Sequence, residues 1–144
     1  MNNGLADFWA ACGMNGPVPE ASVFGDTPAL QDELCALIIS GQKCATASLA
    51  GWYDADAAPL PRVGDLRIIL DGVGTPRGII EITSVEETPF HAVTAEFAAA
   101  EGEGDRSLAY WRAEHLRYFE SEQAKDGLDF CETDLVILER FKRL

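Results

Sequence analysis

Apolar positions recur with helical spacing after Thr27: Leu30, Leu34, Leu37 and Ile38 fall at i, i+4, i+7 and i+8, one face of a helix. The punctuation agrees with the period. Thr27 suits the N-cap, Pro28 the first helical position and Gly41 the left-handed position past the end. Asp32 and Glu33 sit in the early turns, where the helix dipole favours acids. Upstream, residues 2–12 predict a short helix that packs Leu5, Phe8 and Trp9. Asn15-Gly16-Pro17-Val18-Pro19 breaks both periodicities and predicts a loop.

Beyond Gly41 the pattern becomes extended. Residues 45–49 predict a strand entering the core, and the stretch with Asp54, Asp56, Pro59 and Pro61 predicts a loop. Residues 66–70 and 79–85 predict two strands joined through Asp71-Gly72-Val73-Gly74 and paired antiparallel. Thr94 caps a short helix over 95–100, stopped by Gly102 and Gly104. Asp105 or Ser107 then caps a longer helix carrying Leu108, Trp111, His115 and Phe119 and ending before Gly127. Residues 135–141 predict a final buried strand. Helix, strands, helices and strand in that order give an α+β class, with the sheet curled into a small barrel.

Composition narrows the function. The 144 residues carry 24 acidic against 11 basic groups, a formal net charge of -13. Such a field repels a polyanion, so tight binding to long nucleic acid is disfavoured, although a local basic patch stays possible. No apolar run approaches the ~18 residues of a membrane span, and the first residues lack a basic signal-peptide region. A cytoplasmic location without membrane contact is expected. Cys12, Cys35, Cys44 and Cys131 are scattered, with no C-x-x-C pair or histidine cluster, so reduced thiols are expected rather than bridges or a metal site. No cofactor is implied.

The candidate chemistry centres on Gly41-Gln42-Lys43-Cys44-Ala45-Thr46-Ala47-Ser48-Leu49. A lysine partly desolvated between a helix end and a strand has a lowered pKa and can serve as a general base, with Thr46 as the hydroxyl it activates. The plainer alternative is a solvated cation at a helix C-terminus beside an ordinary strand threonine. A second cluster, Glu96, Glu101, Glu103 and Asp105, surrounds two glycines that permit close backbone approach. It either supplies a carboxylate to Lys43 or is a charged loop at helix ends. Trp52 and Tyr53 are adjacent, so one of them faces away from the core and is available for stacking. Arg106, Arg112 and Arg117 are either small phosphate contacts or surface partners for the acids around them. His91 and His115 receive no catalytic role.

Three segments taken together carry a resemblance. FGDTPALQDELCALIISGQKCATASL, then LPRVGDLRIILDG, then TPFHAVTAEFAAAEGEGDRSLAYWR, resemble the ASCH domain family, in particular its longer bacterial subgroup. The resemblance covers roughly residues 23–141. It implies a PUA-like, mixed or antiparallel small β-barrel with packed helices over residues 23–144, preceded by a helical extension over 1–22. Some small bacterial members remove the acyl group from N4-acetylcytidine and related nucleosides; others are linked to RNA binding or ribonuclease activity. In the amidohydrolase-like members a lysine and a threonine in a G-x-K-x-x-T motif act with a later glutamate, which carries over to Lys43, Thr46 and Glu101.

The resemblance therefore implies a hydrolase for a small modified nucleoside. Lys43, neutral, would take the proton of Thr46; Glu101 would orient the lysine and help protonate the departing amine; backbone N–H groups near Gly102 to Gly104 would hold the oxyanion. Ser48 stands where the motif often has arginine, and Cys44 where it often has threonine. Ser48, Trp52, Tyr53 and Arg106 are the candidate substrate contacts. The rival functions are an RNA-binding or ribonuclease module and a non-catalytic sensor of a nucleotide-like ligand. The sequence leaves the oligomeric state open.

Overall fold

Strand and helix signals alternate along the chain, and a computed structural model, which describes residues 3–144, arranges them around one mixed sheet. The order is α1 (Asn3–Ala11), β1 (Ala21–Ser22), α2 (Pro28–Ser40), β2 (Ala45–Leu49), α3 (Ala50–Ala55), β3 (Leu66–Leu70), β4 (Pro76–Pro89), α4 (Ala95–Glu101), α5 (Leu108–Lys125) and β5 (Leu135–Arg143). A 3-10 turn over Phe90–Ala92 links β4 to α4. Residue 2, with which the expected first helix begins, lies outside the described residues.

The hydrogen-bonded strand order is β1-β3-β4-β5-β2. β1 runs parallel to β3, and the other pairings are antiparallel. β1 lies within the stretch expected to be an extension, so the sheet takes in residues 21–22. β4 is the long organising strand. Its first half pairs with β3, and its length from Ile80 to Pro89 pairs with β5, with a register shift between Ile82 and Ser84. Such a bulge bends a strand and increases its twist.

Side-chain alternation distributes the sheet between two cores. Ala45 and Leu49 of β2 and Val136 and Leu138 of β5 pack with Phe90, Phe97, Trp111 and Phe119 from the α4–α5 side. Ile69, Ile80, Ile82 and Phe141 pack with Cys35 and Ile38 of α2. Each fully buried Ile or Phe in these clusters contributes roughly 1.5–3 kcal/mol over exposure. Trp9 anchors α1 on Ile68 and Ile79. Among the described residues, no helix is long and apolar enough to cross a membrane.

Candidate active site

Lys43 is placed by two helix ends that meet. Gly41, at φ 87, ends α2, and the Lys43 N–H donates back to Leu37 O at 3.0 Å. Gly102, at φ 70, ends α4. The segment after Gly41 is zipped onto that second end: Cys44 N–H donates to Ala100 O at 2.9 Å, and Gln42 Nε2 to Gly102 O at 2.8 Å. A Cβ on residue 102 would stand 2.3 Å from Gln42 O, so glycine is what lets the two backbones approach. Residues 58 apart in sequence are thereby brought side by side.

The Lys43 ammonium is 1% exposed and fully engaged. Nζ donates to Glu101 Oε1 at 2.7 Å, to Glu103 Oε2 at 2.7 Å and to Ala45 O at 2.8 Å. This corrects the expectation of a neutral lysine. Burial does oppose the charge, but Glu101 and then Glu103 outweigh it, and the pKa is raised instead of lowered.

Glu101 is itself saturated with donors. Oε1 accepts from Lys43; Oε2 accepts from Trp111 Nε1 at 2.6 Å and lies 3.2 Å from His115 Nε2. The other ring nitrogen, His115 Nδ1, lies 2.9 Å from Trp111 O. A carbonyl and a carboxylate are both acceptors, so the two contacts together favour the doubly protonated ring. Burial works against an ionised Glu101, but Lys43 and His115 overcome it and hold the carboxyl far below the usual range. The same carboxylate outweighs burial at His115 and raises its pKa. Glu103 differs: burial pushes its carboxyl up, and the charge of Glu101 adds to that against Lys43. Within the cluster, Glu103 is the acid that most readily holds a proton.

Beside this cluster opens a cavity of about 260 Å³, lined by residues that include Lys43, Glu101, Glu103 and His115. Strand alternation turns Thr46 and Ser48 towards it while Ala45 and Leu49 enter the core. Ser48 Oγ and Tyr53 Oη share a hydrogen bond of 2.7 Å. Trp52 lines the cavity and meets Tyr118 and Phe119 edge-on. Arg67 Nη1 donates to Glu139 Oε1 at 3.1 Å, and Arg117 pairs with Glu114 at 2.8 Å and Asp26 at 3.6 Å. The guanidinium absent at Ser48 is thus present in the same cavity from β3.

Lys43, Thr46, Glu101, Ser48, Trp52 and Tyr53 all line this cavity. Arg106 does not. It is an exposed turn residue at φ 67 whose N–H donates to Glu103 O at 3.0 Å. The Gly102 N–H is likewise committed, to Ala99 O at 3.1 Å, so it is not a free oxyanion donor. The sequence reading missed the wall residues Arg67, His115 and Glu139. For two of them a signal existed: Arg67 and Glu139 are charges set inside the apolar strands LRIIL and LVILERF, where a charge needs a buried partner. Among the described residues, no group of three or more His, Cys, Asp or Glu is placed to hold a metal ion.

A family model for the ASCH domain matches residues 20–144. The chain is 38% identical to a crystallised ASCH domain from Lactobacillus crispatus JV V101, with a TM-score of 0.84, covering 88% of this chain and 80% of that one. It is 33% identical to a crystallised protein from Enterococcus faecalis V583, with a TM-score of 0.89, covering 100% of this chain and 90% of that one. No protein of curated function matches the chain.

Proposed function

The chain belongs to the ASCH domain family, with a PUA-like α+β fold, and on that premise we propose that it is an amidohydrolase releasing the acyl group from N4-acylated cytidine-type nucleosides. The observation that carries this reading is a hydroxyl, Thr46, sharing one small cavity with the buried Lys43–Glu101–Glu103 cluster. Lys43 reaches its basic form by passing a proton along its 2.7 Å contact to Glu103, whose carboxyl is the one pushed upwards. The resulting amine takes the Thr46 proton as Thr46 attacks the acyl carbonyl. Glu101, whose ionised form Lys43 and His115 favour, fixes the position of the lysine. The carbon–nitrogen bond breaks, the nucleoside leaves as its free amine, and water then hydrolyses the acyl-threonine. A cytoplasmic location is part of the same reading.

Charge and size favour a nucleoside over RNA. At about 260 Å³ the cavity falls just below the ~300 Å³ at which drug-sized pockets begin. Its basic groups Lys43, Arg67, Arg117 and His115 are each already paired with acidic side chains, leaving none free for a phosphate chain. Incubation with N4-acetylcytidine at rising salt tests this: cytidine release should barely respond to salt, whereas binding of an RNA oligonucleotide falls steeply. Ligand-induced melting shifts without turnover would instead support a sensor.

A further inference from the structure

Glu139 is a carboxylate of the cavity that the reaction above leaves unused. It is 2% exposed and stands directly across from Thr46 in the β2–β5 ladder. Directly opposed residues of an antiparallel pair project from one face with Cβ atoms about 4.5–5.5 Å apart. Both side chains line the same cavity. Among the described residues, the one hydrogen-bond partner of the Glu139 side chain is Arg67, which donates to Oε1. A buried carboxylate ordinarily gathers several donors. Glu101 accepts from Lys43 and Trp111 and has the His115 ring at 3.2 Å, whereas Glu139 leaves Oε2 for a ligand.

Amide cleavage also needs an acid, because the departing nitrogen must be protonated. Glu101 cannot supply that proton, being an anion held by Lys43, Trp111 and His115. Glu103 holds the proton surrendered by Lys43, and Lys43 holds the one from Thr46. We propose that Glu139 is a further catalytic residue, the acid that protonates the departing amine, and that Arg67 is the positioning residue that holds its other oxygen. The assignment rests on the amidohydrolase reading and gives the departing amine a proton donor other than Lys43.

The bookkeeping of bonds closes. Thr46 Oγ forms the ester bond to the acyl carbon, the carbon–nitrogen bond breaks, and the nitrogen takes the Glu139 proton as the nucleoside leaves. Glu139, now a carboxylate against Arg67, takes a proton from the water that attacks the acyl-threonine. Thr46 recovers its own from Lys43. Charged and titratable groups facing Glu139 are Arg67 from β3, Asp65 from the turn before it and the Tyr53 phenol from α3. Burial raises the carboxyl of Glu139, and Arg67 opposes that rise.

The test uses first-turnover release from two substrates. Glu139→Gln should lose about 100-fold on N4-acetylcytidine, yet release nitrophenolate from para-nitrophenyl acetate nearly as wild type does, because that leaving group departs without a proton. Equal losses on both substrates would overturn the assignment. Should Glu139→Gln fail to fold, Arg67→Gln decides. Removing the guanidinium raises the Glu139 pKa, so the alkaline limb of the pH–rate profile on the amide moves to higher pH. An unmoved limb overturns the assignment while leaving the amidohydrolase intact. A wild type inactive on both substrates would remove the amidohydrolase reading and this proposal with it.

Discussion

Lys43 Nζ lies 2.7 Å from Glu101 Oε1, and each side chain is 1% exposed. A charge pair so deeply buried is costly to break, because removing one partner strands the other in a low-dielectric interior. Lys43→Met strands Glu101 and leaves Glu103 beside it. The expected loss is about 3–5 kcal/mol of stability, read as a lowered urea midpoint. Adding Glu101→Gln to that variant should recover part of the loss, since it removes the stranded charge. Strictly additive losses would show that the two groups are not coupled.

The backbone approach that creates this pair is equally testable. Gly102 and Gly127 both have positive φ, at 70 and 72, but only residue 102 has a neighbour in the way. Gly127→Ala should cost about 1–2 kcal/mol, the ordinary left-handed penalty. Gly102→Ala adds a collision with Gln42 O and Lys43 N, so its urea midpoint should fall further. It should also weaken the site, because the lysine moves with that backbone. Equal destabilisation by the two substitutions would mean that the contact between the helix ends relaxes freely.

These shifts fix the sign of the stability–pH curve. Glu101 is lowered, so its contribution is present above its unfolded value of about 4.3 and is lost as pH falls towards its folded one. His115 is raised, so its contribution is complete below about pH 6.5 and is lost as pH rises through its folded value. Urea midpoints measured across pH should therefore decline on both sides. His115→Gln should flatten the decline that begins above about pH 6.5. The same slope in that variant would show that the ring is not an imidazolium in the folded protein.

The helices around the site were legible because their ends carry local chemistry. Thr27, Thr94 and Ser107 each accept a capping N–H, and Gly41 and Gly102 take left-handed conformations. The helix Ala50–Ala55 carries no such signal: it has no side-chain cap and leads into a run of Asp, Ala and Pro. Packing of Trp52 on Tyr118 and Phe119, rather than propensity, holds it. The sequence pattern marks β4 only over residues 79–85, because Pro76 and Pro89 stand at its ends, a position where strands tolerate proline.

Within the site, Lys43, Thr46 and Glu101 were legible through a motif. Glu139 and His115 were not, because register and helix packing place them there and neither acts at short range in sequence. Arg106, offered by its charge as a phosphate contact, is an exposed turn residue outside the cavity lining.

On the proposed mechanism Thr46, activated through Lys43, attacks the acyl carbonyl. Cytidine release from N4-acetylcytidine, followed beside Thr46→Val and Lys43→Arg, tests it most directly, since both variants keep side-chain volume and Lys43→Arg keeps the charge. Wild type should turn over, Thr46→Val should not, and Lys43→Arg should lose about 100-fold or more, with all three proteins folded. Turnover by Thr46→Val at the wild-type rate would contradict it.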